Sequence, residues 1–110
     1  MRKKIYLACP YSHGDPTVRR RRFEKANTVA ARLMKAGHLV FSPISHTHPI
    51  AEAGDLPKGW QFWADYDRTF IAWADEIYVL RLPGHITSAG VTAEIDIAGT
   101  LGKPVVFIDE

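Results

Sequence analysis

The sequence contains a single cysteine, Cys9, and no long hydrophobic run. A lone cysteine cannot form a disulfide bond within the chain, which fits a reducing compartment and predicts a cytoplasmic protein. An apolar run at 5–9 follows the basic residues 2–4. This run is too short for a membrane span or for the apolar region of a signal peptide, so no membrane partner and no leader are expected.

An excess of charge of one sign is also missing. The chain has 14 Lys and Arg residues against 12 Asp and Glu residues, a formal net charge of +2. So small an excess does not predict binding to polymeric nucleic acid, although basic residues cluster at 2–4 and 19–22. With 110 residues, of which 46% are hydrophobic and 24% charged, the chain is expected to form one globular domain over 1–110.

Short apolar segments alternate along the chain with segments of helical periodicity. Apolar strands that alternate with helices indicate a parallel sheet covered by helices. Right-handed crossovers then predict a small doubly wound α/β sheet of flavodoxin or Rossmann type, with about four strands in the order 2-1-3-4. The predicted strands are 5–9, 39–42, 76–82 and 105–108, the predicted helices lie within 19–36, 57–75 and 88–101, and 44–56 is expected to be a long loop.

A sheet of this kind binds ligands at the carboxyl ends of its strands, beside the point where the strand order reverses. The segments expected to converge there are 10–13, 42–48 and 83–90. We therefore expect Pro10 and Tyr11 to line a cleft formed by these three segments.

Two acids occupy helix faces that otherwise carry apolar side chains. Helical spacing surrounds Asp67 and Glu94 with hydrophobic residues, whereas the nearby Asp65 and Asp96 face mostly polar or small ones. Because residues three and four apart share a helix face, Asp67 and Glu94 are predicted to point inward. A buried ionised carboxylate needs compensation, so the pair is a candidate for acid–base or nucleophilic chemistry. The alternative is that each acid is held in an ion pair by a Lys or Arg.

Several motifs carry a family resemblance. They are Ile5-Tyr6-Leu7-Ala8, Asp67 placed eight residues before Asp75, Ser88-x-Gly90-Val91-x-x-Glu94, and Gly102-Lys103-Pro104 before the last strand. In these motifs the chain resembles the nucleoside 2-deoxyribosyltransferase superfamily, which includes the 2′-deoxynucleoside 5′-monophosphate N-glycosidases. The resemblance implies an enzyme that cleaves an N-glycosidic bond by a retaining attack on the anomeric carbon.

The same resemblance assigns roles to three residues. The residue matching Glu94 is the nucleophile, the residue matching Asp67 handles the proton on the nucleobase, and the residue matching Tyr6 holds the nucleophile by its hydroxyl. The positive end of a helix should favour ionised Glu94, and desolvation by Trp60 and Trp63 should favour protonated Asp67. The two pKa values are therefore expected to shift in opposite directions.

Ser88 distinguishes two branches of the superfamily. Transferases of free nucleosides tend to carry Asp at this position, and the monophosphate glycosidases carry Ser. Ser88 and Gly90 at a helix N-terminus would accept a phosphate, and Arg19 and Arg22 could add charge-assisted contacts. This predicts a 2′-deoxyribonucleoside 5′-monophosphate as substrate, with base exchange on free deoxynucleosides as the alternative. Ser88 could also be only a helix N-cap, and the arginine run only a solvated face.

Two histidines in the predicted loop could serve a metal or a nucleobase. His46-x-His48 could begin a metal site with His13, but no carboxylate or cysteine follows at a ligand spacing. No metal and no cofactor are therefore expected, and His46 and His48 are predicted to line the base pocket, with Trp63 as a further binding residue.

An aromatic cluster bears on partners. Phe62 lies off the helix face that Trp60 and Trp63 share, which predicts an aromatic subunit contact and a homodimer or higher homo-oligomer. Two other functions stay open at this point. The chain could be a nucleotide-binding module without turnover, or a domain that binds a protein partner through these aromatic side chains.

Overall fold

A four-stranded parallel sheet forms the centre of the protein, as a computed structural model of the chain describes it for residues 2–57 and 59–110, the side chain of Trp60 excepted. The strand order is 2-1-3-4, which confirms the predicted α/β fold. The strands are β1 (Lys4–Ala8), β2 (Leu39–Phe41), β3 (Glu76–Leu80) and β4 (Val105–Ile108). The helices are α1 (Pro16–Lys35), α2 (Pro43–Gly54), α3 (Trp60–Trp73) and α4 (Ala89–Thr100).

The sheet is covered on both faces because its central strands are apolar throughout. On one face, Tyr6 and Val79 pack with buried residues of α3 and α4, among them Ile71 and Val91. On the other face, Leu7 and Leu80 of the sheet pack with Ala26, Val29 and Ala30 of α1. The centre of β1 is therefore fully buried, and its side chains reach α4 through the interior of the protein.

Local signals in the sequence explain where α1 begins and ends. Asp15 is its N-cap and accepts a hydrogen bond from the amide of Thr17 at 2.9 Å. Pro16 occupies the first turn, where a missing amide is tolerated. The chain then reverses at Gly37, whose φ of 101° is a conformation that glycine adopts readily.

The predicted loop over 44–56 is wrong, because most of this segment is the helix α2. Pro43 begins the helix in the position that suits proline, and the amide of His46 donates to the carbonyl of Ser42 at 3.1 Å. Pro49 lies inside the helix, which local propensity disfavours. Packing overrides that preference, because Ile44 joins the core cluster beneath α1 and Phe23 of α1 stacks on His48.

The remaining predicted elements are confirmed with shifts of a few residues at their ends. The first and third strands end earlier than predicted, and α1 begins three residues earlier than the predicted helix, at Pro16. Among the described residues, no helix has both the length and the apolar character that a membrane span requires.

Candidate active site

A cavity of about 750 Å³ opens at the carboxyl ends of the parallel strands. Its lining comes from the loop after β1, from α2, from the segment leading into α3, and from the segment between β3 and α4. These include the three segments expected to converge beside the strand-order reversal, so the predicted location of the cleft is confirmed. The volume is within the range of small-molecule sites.

Three buried polar side chains, Tyr6, Asp67 and Glu94, form what we call the floor of the site. Their exposed fractions are 0%, 9% and 5%, and both acids line the cavity. The Tyr6 hydroxyl donates a hydrogen bond to Glu94 Oε2 and also interacts with the Asp67 carboxyl. Three separate elements, β1, α3 and α4, therefore bring one hydroxyl and two carboxyl groups together.

The inward orientation of the two acids is confirmed by contrast with their neighbours. Asp65 and Asp96 are exposed, although they lie only two residues from Asp67 and Glu94. Within residues 2–57 and 59–110, no salt bridge reaches either buried acid. A structural ion pair therefore does not account for their burial in this part of the chain.

Burial raises the pKa of both carboxyl groups. The pKa of Asp67 rises to about 6, and its hydrogen bond with Tyr6 opposes that rise. The pKa of Glu94 rises to about 8, because burial and the negative charge of Asp67 outweigh the hydrogen bond from Tyr6. Two acids that interact this closely titrate as a pair, so the pair holds one shared proton near neutral pH.

The expectation that the two pKa values shift in opposite directions is therefore wrong. Glu94 lies in the second turn of α4, but its complete burial outweighs the positive end of the helix. The pKa of Tyr6 also lies well above its usual value, chiefly because of burial and then because of the charge of Glu94. Tyr6 consequently keeps its proton and remains a hydrogen-bond donor to the acid pair.

Arg22, Gly84 and Ser88 form a polar rim above the floor, and all three line the cavity. Ser88 is the N-cap of α4, and its hydroxyl accepts from the amide of Val91 at 3.2 Å. The N-cap role is thus confirmed. The first amides of a helix have no partner within it, so the amide of Gly90, at the second helical position, remains available for an anion.

Arg22 joins two loops at this rim. Its guanidinium donates to the carbonyl of Ser12 at 3.2 Å and to the carbonyl of Pro83 at 3.1 Å. Gly84, with φ of 92°, passes so close that an added Cβ would lie 2.9 Å from Arg22 Nη2. A glycine is therefore needed here both for the backbone conformation and for the position of Arg22.

The other predicted site residues divide into two groups. Tyr11 and Trp63 line the cavity, and the Trp63 indole donates to the carbonyl of Pro57 at 2.8 Å. Pro10, Arg19 and His46 are not among the described residues that line it. Pro10 is a buried residue of the loop that follows β1.

The predictions for Arg19 and His46 need correction. Arg19 Nη1 donates to the carbonyl of His13 at 2.5 Å, which fastens this side chain to the loop rather than to the cavity. His46 is exposed and packs beside the rings of Phe41 and Tyr66, on the far side of α2. The correction for His46 follows from the helix α2, which replaces the predicted loop over 44–56.

Cys9, Thr47 and His48 also line the cavity. The sequence predicts a place in the base pocket for His48 but not for Cys9 or Thr47. Burial raises the pKa of the Cys9 thiol to about 12, so it stays uncharged. Thr47 is missed because the sequence does not predict α2. Had the helix been recognised, its spacing would have placed His48 with Ile44 and Ala51 on one face.

Within the part of the chain that the structure describes, no three His, Cys, Asp or Glu side chains lie together as a metal site would require. The polar groups of the floor are one hydroxyl and two carboxyl groups.

Comparisons with known proteins place this geometry in context. The search of curated proteins by sequence finds no significant match. Among solved structures, the chain is similar to a 2-deoxyribosyltransferase from the psychrotolerant bacterium Bacillus psychrosaccharolyticus. The sequence identity is 28% and the TM-score 0.68, and the match covers 96% of this chain and 72% of the other. That protein is described as a biocatalyst for the synthesis of antiviral and antitumoral nucleosides.

A family model also matches residues 3–110, nearly the whole chain, and it is described as a domain of unknown function, DUF1937. Together with the structural match, this confirms the predicted resemblance to the nucleoside 2-deoxyribosyltransferase superfamily. The chain belongs to the DUF1937 family.

Proposed function

We propose that this protein cleaves the N-glycosidic bond of a 2′-deoxyribonucleoside 5′-monophosphate through a covalent glycosyl intermediate on Glu94. The broader statement, that the chain is an enzyme of the deoxyribosyltransferase and N-glycosidase type, follows from its superfamily. The observation that carries the finer proposal is the floor of the cavity. There, Asp67 and Glu94 lie buried at the base of the cavity, and Glu94 accepts a hydrogen bond from Tyr6. Neither acid forms a salt bridge with another described residue.

The first step uses both acids. Glu94, ionised, attacks the anomeric carbon with one carboxylate oxygen, and the bond from that carbon to the base nitrogen breaks. Asp67, protonated, gives its proton to the departing base, which leaves neutral. The pKa values of about 8 for Glu94 and about 6 for Asp67 place the shared proton on Glu94 in the free protein near neutral pH. The reactive form is therefore the one in which this proton has moved to Asp67.

The second step restores the enzyme. Asp67, now ionised, accepts a proton from water as the water oxygen attacks the anomeric carbon, and the ester bond to Glu94 breaks. Glu94 leaves as a carboxylate and again accepts the hydrogen bond of Tyr6. Tyr6 supports this step because its raised pKa keeps the donor protonated throughout.

The preference for a 5′-phosphate rests on the rim. The Ser88 hydroxyl, the amide of Gly90 and the guanidinium of Arg22 all border the cavity, and helix N-termini and arginines are both favourable to anions. Arg22 already donates to two carbonyl groups, so its charge is fixed in place before a ligand binds. A preformed charge of this kind lowers the ordering cost of binding.

The test compares kcat/KM for a deoxynucleoside and its 5′-monophosphate. Charge-assisted hydrogen bonds contribute about 1.5–3 kcal/mol each, so two of them should favour the monophosphate by at least about tenfold. Ser88→Asp should reduce monophosphate turnover several-fold, because it places a carboxylate against the phosphate, while free-nucleoside turnover changes little. Equal wild-type values for the two substrates would refute the phosphate preference.

Base exchange on free deoxynucleosides is the second candidate, favoured by the similarity to a 2-deoxyribosyltransferase. The two reactions share the first step and differ in the acceptor, which is water in one and a second base in the other. Incubation with a deoxynucleoside and a different free base separates them, because only base exchange yields a new deoxynucleoside.

Assembly into a homodimer or higher homo-oligomer remains part of the proposal. Phe62 is 49% exposed on α3 and contacts Trp63 edge-on, with ring centroids 4.8 Å apart. Trp63 also lines the cavity, so a second subunit seated on Phe62 would lie next to the site. Sedimentation of a fully active monomer at high micromolar concentration would contradict this.

A further inference from the structure

Tyr11 and His48 form a hydrogen-bonded couple on the cavity wall that the proposed reaction does not use. The Tyr11 hydroxyl lies 2.5 Å from His48 Nδ1, and both residues line the cavity. Tyr11 belongs to the loop after β1 and His48 to α2, so the bond joins two parts of the wall. Phe23 of α1 stacks on the imidazole, with ring centroids 4.3 Å apart, and holds its orientation.

The surroundings of His48 indicate which ring nitrogen carries the proton. Nε2 lies 3.8 Å from Glu52 Oε1 on the next turn of α2, and a carboxylate favours N–H on the nitrogen that faces it. Nδ1 is then the acceptor, and the Tyr11 hydroxyl donates to it. Burial, together with Arg20 and Arg19 of α1, lowers the pKa of His48, against the opposing charge of Glu52. The imidazole is consequently neutral near pH 7.

A tyrosine hydroxyl has one proton to donate. Because Tyr11 gives that proton to His48, its oxygen can only accept further hydrogen bonds. The Arg19 side chain faces this oxygen and donates to it, so a ligand can supply one more donor. An amino group that approaches this oxygen gains a hydrogen bond, whereas a carbonyl oxygen in the same place meets a second acceptor. A site built in this way discriminates strongly, since the wrong ligand leaves buried polar groups unpaired.

Building on the proposed function, we propose that the Tyr11–His48 couple selects nucleobases that present an amino group to this wall over those that present a carbonyl oxygen. His48 is a positioning residue here, because it acts through the orientation of the Tyr11 hydroxyl. Protonation of His48 reverses the selection, because Nδ1 then donates to the Tyr11 oxygen and the hydroxyl proton turns towards the ligand.

The test measures binding, in a background that does not turn substrate over. Deoxycytidine and deoxyuridine 5′-monophosphates differ at an amino-versus-carbonyl edge of the base, and calorimetry on Glu94→Gln gives a Kd for each. At pH 8 the amino-bearing nucleotide should bind at least about fivefold more tightly. Tyr11→Phe in the same background should bring the two Kd values within about twofold of each other. Tyr78→Phe is the matched control, since Tyr78 is half-buried on β3 and is not among the described cavity residues.

His48→Gln provides a second variant in case Tyr11→Phe does not fold. The pKa of His48 lies below its usual value, so the ratio of the two Kd values should fall as the pH is lowered from about 8 to about 5 when His48 is present. The fall should be much smaller in His48→Gln. Asp67 also titrates in this window, but it is present with and without His48, so the part of the pH dependence that Asp67 contributes remains in His48→Gln and can be subtracted.

A Kd ratio near one in the Glu94→Gln background, or a ratio that neither Tyr11→Phe nor His48→Gln changes, would overturn the inference while leaving the proposed function intact. Failure of both nucleotides to bind would instead overturn the proposed function, and the inference with it.

Discussion

The floor and the rim of the cavity are built in opposite ways. The floor residues Tyr6, Asp67 and Glu94 are buried, and they are held by the packing of β1, α3 and α4. The rim residues Arg22 and Ser88 are partly exposed, and they are held by hydrogen bonds to loop carbonyls and to the first turn of a helix. The positions of the acids thus depend on the core of the fold, whereas the positions of the rim residues depend on loops that can vary without disturbing that core.

The floor also carries an energetic penalty that the rim avoids. Two carboxyl groups lie buried against one hydroxyl, and burial disfavours the ionised form of each. Arg22, by contrast, keeps contact with solvent, and its guanidinium has carbonyl partners. This contrast predicts that changes in the floor have large effects on turnover and that a neutral residue of the same shape in place of a buried acid raises stability, whereas changes in the rim alter substrate preference.

The largest effect is expected at Glu94, the proposed nucleophile. Glu94→Ala should reduce turnover by roughly a thousandfold or more, because the proposed covalent step has no other nucleophile. Glu94→Gln should lose turnover as well but retain ligand binding, since the amide keeps the shape of the side chain and can still accept from Tyr6. Steady-state rates and calorimetric binding check the two parts. A 2′-fluorinated substrate analogue should add mass to Glu94 in the wild type.

Asp96→Ala is the control for removing an acid from α4, because Asp96 is exposed and only two residues away. It should leave turnover close to that of the wild type. Activity of Glu94→Ala within about tenfold of the wild type would end the covalent mechanism.

The floor could be predicted from the sequence because its signals are periodic. Asp67 and Glu94 interrupt hydrophobic helix faces, and the apolar strands fix which face points inward. The strand order followed from handedness and short connections alone. The pKa of Glu94 could not be predicted in this way, because its direction depends on how completely the side chain is buried and on the distance to Asp67.

The wall of the cavity was harder to predict because its stability comes from tertiary contacts. Residues 43–54 contain two prolines and two histidines, a composition that does not favour a helix on its own. Contacts with α1, such as Phe23 on His48, stabilise α2 and turn His48 rather than His46 to the cavity. A prediction from the local sequence pattern alone cannot include those tertiary contacts.

The energetic penalty of the floor should appear as a pH dependence of folding stability. Glu94 has a pKa of about 8 when folded and an ordinary carboxyl value when unfolded, so the folded state holds a proton that the unfolded state releases. Folding stability attributable to this group therefore falls as the pH rises from about 4.5 to about 8. Glu94→Gln carries no such charge. The difference between its melting temperature and that of the wild type should therefore increase as the pH rises from about 4.5 to about 8.

The size of the effect follows from the shift. One pKa unit corresponds to about 1.4 kcal/mol, so Glu94→Gln should be more stable than the wild type by about 2 kcal/mol or more at pH 8.5. For a domain of this size that is a rise of roughly 5 °C or more in melting temperature. Asp96→Asn should show no comparable rise, because Asp96 is exposed. A difference between Glu94→Gln and the wild type that stays constant from pH 5 to pH 9 would contradict a proton shared in the floor.

The smallest effect is expected at the rim, in Gly84→Ala. An added Cβ would lie 2.9 Å from Arg22 Nη2, so the guanidinium must shift and weaken its hydrogen bond to the carbonyl of Pro83. The preference for the monophosphate should fall by about tenfold, the equivalent of one charge-assisted hydrogen bond, while turnover of the free deoxynucleoside changes little.

Gly37→Ala is the matched control, because Gly37 has a similar φ of 101° and open space at its Cβ position. Any general cost of placing alanine at positive φ appears in both variants and can be compared by thermal melting. A loss of monophosphate preference in Gly84→Ala alone would tie that preference to the position of Arg22. An equal loss in both variants would instead trace it to backbone strain.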